Sequence, residues 1–297
     1  MTPKRLWTWL SAVIIGSFAV LIYYGVDIYR KIPPVPDKVI TTEGKVIATG
    51  QDIKDGQNVW QSIGGQTVGS IWGHGAYIAP DWSADYLHRE SLLLLDELAK
   101  KDGKNYKELP DDEQAKYKVL LKKEIRTNTL DESTNTIVIS PERAKVHAAL
   151  AVYYAKIFMN DAAMNQLRDH YAIPKNTVKT EERMAKMNAF FSWASWVCIT
   201  NRPDDSGVTY TNNWPHDELI GNVPPPSLHL WSGFSVLMLL GCVGLLVLYH
   251  ARNKEEEISE ALPLEDPLRN MKPTASMRAT LKYIWVVALL ILVQMFA

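Results

Sequence analysis

The 297 residues carry 32 Lys and Arg against 33 Asp and Glu, a formal net charge of −1. A balance so close to neutral offers no basic field for nucleic acid. The 47% of hydrophobic residues are concentrated towards the two ends of the chain, a distribution that excludes an ordinary soluble globule.

Leu6 to Val26 is free of charge for 21 residues, and as a helix it spans roughly 31 Å, enough to cross a bilayer core. No small-residue cleavage site follows it, since Tyr23-Tyr24-Gly25-Val26-Asp27 comes next, so it is expected to stay as an anchor. After the extended linker Ile32-Pro33-Pro34-Val35-Pro36, helices are expected around Lys54 to Ser62, Trp82 to Lys100, Asp111 to Arg126, Pro141 to Met159 and Glu181 to Ile199. Asp81, Ser140 with Pro141, and Thr180 with two following glutamates supply N-terminal cap signals. Thr136-Ile137-Val138-Ile139 is β-branched and suits a short strand. The Lys/Glu-rich stretch Lys100 to Lys123 is expected as a solvated helical insertion, and the Trp- and Pro-rich segment Asn201 to Pro226 as a collar at the membrane surface.

Leu228 to Tyr249 is a second apolar run, interrupted only by His229. Tyr283 to Ala297 is a third, of 15 residues, which covers roughly 22 Å as a helix and falls short of a full crossing. The expected organisation is an anchor over 1–28, an outer domain over 29–227, a second span over 228–250, a cytoplasmic loop over 251–282 and a truncated third span over 283–297. Lys4 and Arg5 before the first span, with Arg252, Lys254, Arg269, Lys272, Arg278 and Lys282 after the second, place both of those segments in the cytoplasm and the outer domain opposite.

None of the seven histidines forms a metal-binding pair at helical i, i+4 spacing, and only His229 and His250 touch a span, at its ends. Cys198 lies in the outer domain and Cys242 in the middle of the second span, so the two are not expected to pair. Asp85, Glu90 and Glu97 are expected to be solvated helix carboxylates.

The most specific stretch runs from Gly56 to Glu90. It holds Gly56-Gln57-Asn58-Val59-Trp60, then Gly73-His74-Gly75-Ala76-Tyr77-Ile78-Ala79-Pro80, continuing through Asp81-Trp82-Ser83-Ala84-Asp85. These elements resemble the haem-bearing subunit of the cytochrome-c-dependent nitric oxide reductases, in which they bracket a Cys-x-x-Cys-His. Laid over that pattern without a gap, the cysteines fall on Gly65 and Val68 and the histidine on Gly69. Covalent haem attachment needs both thiols and the imidazole. A cytochrome-like domain without them resembles the quinol-dependent nitric oxide reductases, where that domain is fused to the catalytic membrane subunit. Tyr210-Thr211-Asn212-Asn213-Trp214-Pro215 adds to the likeness.

The resemblance implies a mainly α membrane protein in which transmembrane helices flank a haem-free, cytochrome-c-like extracytoplasmic domain in the bacterial inner membrane. It implies reduction of two NO to N2O and water with electrons from membrane quinol. Haem b and non-haem iron would belong to catalytic helices beyond Ala297 or on another chain, and no catalytic residue would lie in this one. Calcium bound through the backbone carbonyls of Gly75 and Tyr77 is a further implied feature, beside the plainer alternative that the glycines only shape a turn. His229, Trp231 and Phe234 are the candidates for a quinol slot, with a headgroup-level aromatic belt as their alternative. A homodimer is left open, and a non-catalytic membrane-anchored subunit or binding module is the rival function.

Overall fold

The computed structural model describes residues 3–76, 78–203, 207–261, 272 and 274–296. It divides into two compact units, Met1–Leu228 and His229–Ala297. The first begins with α1 (Pro3–Arg30), in which no residue is buried, as a helix facing lipid requires. A four-stranded sheet follows the Pro-rich linker. It is built from β1 (Lys38–Thr41) and β2 (Val46–Thr49), and later β3 (Leu130–Asp131) and β4 (Thr136–Ile139), in the spatial order β2-β1-β4-β3. β1 runs parallel to β4, pairing Lys38 with Thr136 and Thr41 with Ile139, and the two outer pairings are antiparallel.

Helices cover one side of this sheet and make the main core. α2 (Gly50–Ser62) starts at a capping box: Thr49 Oγ1 accepts from Asp52 N at 3.2 Å, and Asp52 Oδ2 accepts from Thr49 N at 2.9 Å. The Gly-x-x-x-Trp element now has a physical reason. α2 packs on α7 (Glu181–Ile199) at Gly56, where a Cβ would stand 1.9 Å from the Lys186 carbonyl oxygen, and one turn later Trp60 packs on Phe190 with ring centroids 5.8 Å apart. Only glycine permits that approach.

α3 (Trp82–Lys101), α4 (Asp111–Arg126), α5 (Pro141–Phe158), the short α6 (Asn165–His170) and α7 (Glu181–Ile199) complete the unit. Asp81, Ser140 and Thr180 cap α3, α5 and α7 through Ala84 N, Arg143 N and Arg183 N, as their sequence signals indicate. The expected helices and the strand at 136–139 are all present. Of α4, Tyr117, Leu121 and Ile125 are buried, so the Lys/Glu-rich insertion docks through one apolar stripe and solvates the rest.

α8 (Pro226–Ala261), α9 (Ala275–Lys282) and α10 (Ile284–Phe296) follow. Among the described residues, three stretches are long and apolar enough to cross a membrane: Pro3–Arg30, Pro226–Asn253 and Ala275–Leu292. The chain is thus a mainly helical membrane protein.

Candidate functional site

The site begins at the three positions that would carry a covalent haem. Gly65–Val68 forms one turn of 3₁₀ helix between Gly64 at φ +125° and Gly69 at φ +122°. A Cβ on Gly69 would stand 2.0 Å from Trp82 Nε1 and 2.7 Å from the Pro80 carbonyl oxygen, so no side chain fits there. The Trp82 indole is fully buried and donates its N–H to the Val68 carbonyl at 2.8 Å. It stacks on Phe191 at 5.8 Å and an interplanar angle of 12°, and meets Tyr154, Phe158 and Tyr171 edge-on. Positions 65, 68 and 69 carry no thiol and no imidazole, and aromatic side chains fill the space beside them. These residues do not fit a covalently attached haem.

Asp81 then fixes the loop that follows. Its Oδ2 accepts from Ser70 Oγ at 2.7 Å and from Gly73 N at 2.6 Å, while Oδ1 accepts from Ala84 N at 2.9 Å and from the Ser83 hydroxyl. The neck closes where Ser70 N donates to Pro80 O and Trp82 N to Ser70 O, the geometry of an Ω-type loop. At its tip His74, Gly75 and Ile78 are exposed. Gly75 sits at φ +80° with open space around it, and among the described residues no hydrogen bond is donated to its carbonyl. Tyr77, the other expected calcium contact, lies outside the described residues. On one flank the loop meets the collar, since a Cβ on Gly73 would stand 1.8 Å from Trp214 Nε1.

Glu90 departs from the solvated carboxylate expected of it. It is fully buried, its Oε1 accepting from Arg143 Nε at 2.6 Å and lying 3.2 Å from His147 Nε2. Ser192 Oγ is 3.1 Å from His147 Nδ1. Burial by itself would raise the Glu90 carboxyl, but the Arg143 charge and the His147 contacts outweigh it and hold the pKa down at about 2. The phase of α3 accounts for the burial, because Trp82, Tyr86, Glu90 and Leu94 recur every four residues on the buried face. Asp85 is half-buried and accepts from the Tyr154 hydroxyl at 2.8 Å and from Arg89 Nε at 2.9 Å. Glu97 pairs with Lys100 at the surface.

His229, Trp231 and Phe234 all lie exposed near the start of α8. Trp231 and Phe234 share a face, with ring centroids 6.0 Å apart at 87°. His229 stands two residues before Trp231, about 200° round the helix, so the helix brings the two rings together and turns the imidazole away. Among the described residues no group of three or more His, Cys, Asp or Glu side chains could hold a metal ion.

Residues 36–216, which are 181 of the 297, match the family model for the NorB cytochrome c-like domain of nitric oxide reductase. No curated protein matches the chain.

Proposed function

The chain belongs to the NorB family of nitric oxide reductase proteins, and from that premise we propose that it is the leading part of a quinol-dependent nitric oxide reductase. The observation that carries this reading is the closeness of Trp82 to Gly69, where a side-chain Cβ would stand 2.0 Å from the indole nitrogen, in a domain that resembles haem-bearing ones at that place. A domain without the two thiols and the imidazole, with Trp82 and its ring neighbours packed beside those positions, would have no haem c with which to relay electrons from a soluble donor. Electrons delivered inside the membrane by quinol remove the need for one, and the domain persists as a cover.

The reaction, 2 NO with two electrons and two protons giving N2O and water, belongs to haem b and non-haem iron held outside this chain. What this chain contributes is position. Asp81 holds the 70–80 loop at its neck, and the Gly75 carbonyl, free of hydrogen bonds among the described residues, would offer a hard oxygen donor for a calcium ion. Trp231 and Phe234, edge-on to each other on one face of α8, would offer an apolar corner to a quinol ring, while His229 on the far side of the helix would need a second path to take up its proton. We place the domain on the periplasmic side of the inner membrane, in an assembly that includes the catalytic helices and is open to dimerisation.

The test is the electron donor. The reductase isolated from native membranes with this chain as bait should consume NO with a reduced quinol and not with reduced cytochrome c, and the denatured chain should fail to stain for haem. Turnover on cytochrome c, or a haem-staining band at the mass of this chain, would overturn the reading. The second reading, a non-catalytic membrane-anchored subunit, draws on the lack of a metal-ligand cluster among the described residues. It predicts that the same isolate consumes no NO with either donor.

A further inference from the structure

Between the sheet and the pair α5 and α7 lies a cleft of about 570 Å³, within the roughly 300–1,000 Å³ range of small-molecule sites. Val39, Ile47, Ile137 and Ile139 line it from the sheet, and Trp193 and Trp196 from α7. Small side chains on the two helices, Ala148 and Ala189 among them, leave the space between these walls open. Trp193 is held in place by its N–H, which donates to the Pro34 carbonyl at 2.9 Å.

Arg143 forms the polar end of the cleft. Only 3% of it is exposed, and its Nε is committed to Glu90, yet among the described residues neither terminal Nη group donates a hydrogen bond. Neither Nη is among the buried atoms without a partner, so each keeps some accessible surface, and the residue lines the cleft. A guanidinium pinned through Nε by a buried carboxylate presents its two remaining N–H edges as a fixed fork. Lys45, Lys145 and Glu43 stand at the cleft; with Arg143 and the Glu90 beneath it, three cations face two carboxylates, a local charge of +1.

We infer that this cleft binds an amphiphilic monocarboxylate, its carboxylate on the Arg143 fork and its hydrocarbon between the sheet and the α5–α7 pair. Paired N–H groups in one plane match the two oxygens of a carboxylate. One negative charge neutralises the local +1, which a dianion would overshoot. The cleft shares no residue with the 70–80 loop or with α8, and the inference stands whether or not the quinol reading holds.

Arg143→Gln would strand Glu90 in the interior and put folding itself at risk, so the test leaves the ion pair intact. Octanoate is titrated calorimetrically into the full chain in lipid nanodiscs, against empty nanodiscs, with octan-1-ol as the probe lacking a carboxylate. Octanoate should bind saturably at one per chain, and octanol at least about tenfold more weakly, the worth of one charge-assisted contact. Ala148→Trp, which fills the cleft from an exposed position on α5, should weaken octanoate by a similar factor while the thermal unfolding midpoint stays unchanged. Ala185→Trp on the α7 lip takes its place if Ala148→Trp unfolds early. No saturable heat, as when a segment of another protein occupies the cleft, would overturn the inference. So would equal binding of octanol, or wild-type affinity in the filled variants.

Discussion

Glu90 and Gly69 are two positions at which a single side chain decides the interior of the domain. Glu90 closes a buried ion pair with Arg143, and replacing it by Gln leaves a guanidinium buried without its counter-charge. Glu90→Gln should cost roughly 3–5 kcal/mol in urea-induced unfolding. The carboxyl has its pKa lowered from 4.5 to about 2. Its contribution is therefore present above about pH 4.5 and drains away as the pH falls towards 2. Wild-type stability should slope downward across that window, and the part of the slope due to this group should vanish in Glu90→Gln. At Gly69, φ of +122° combines with the Trp82 indole nitrogen, which would stand 2.0 Å from any Cβ added there, so Gly69→Ala should destabilise by about 3 kcal/mol or more in the same measurement. The glycine was legible as the place of a lost histidine, but the indole opposite it was not, because Trp82 lies 13 residues away and only the fold brings it there. Glu90 was hidden for a different reason: a carboxylate on a helix is solvated by default, and its buried partners Arg143 and His147 come from α5.

Elements with local signals were the legible ones. α3, α5 and α7 start where Asp81, Ser140 and Thr180 accept a backbone N–H, and each cap can be tested alone. Ser140 accepts from Arg143 N at 3.2 Å, and Ser140→Ala should cost about 1 kcal/mol in thermal or urea unfolding, an effect smaller than that of Glu90→Gln. Most of the sheet escaped notice. β1 and β2 are four residues each, too short for alternation to declare itself, and β1 finds its parallel partner β4 across nearly 100 residues, a pairing no local pattern encodes. The cleft escaped with it, since half its wall is that sheet. The 70–80 loop was visible as a motif, whereas its anchoring by one carboxylate was not. Asp81→Ala removes four acceptor contacts at the neck, and amide exchange over residues 70–76 should accelerate at least about tenfold, the factor that one lost net hydrogen bond implies. Unchanged exchange would mean that Trp214 and the neighbouring backbone bonds hold the loop without it.

For the molecule as a whole, the apolar helices and the charges between them make a statement about sidedness that the chain's own cysteines allow to be tested cleanly. Cys198 is buried, and burial pushes its thiol well above the ordinary range, so the reactive thiolate is absent at neutral pH. Cys242 lies in the middle of the apolar stretch Pro226–Asn253, where a bilayer would exclude a charged reagent. The native chain should therefore stay unlabelled by a membrane-impermeant maleimide, which makes single introduced thiols readable. Glu132→Cys, at an exposed turn beside β3, should label in intact spheroplasts. Asn253→Cys, at the far end of the second apolar stretch, should label only after permeabilisation. That pattern follows if Lys4 and Arg5 and the basic residues after α8 are retained in the cytoplasm while the long intervening domain crosses regardless of its own charge. The reverse pattern would put the domain, its 70–80 loop and its Arg143 cleft in the cytoplasm, and a periplasmic cover over the catalytic helices would then be untenable.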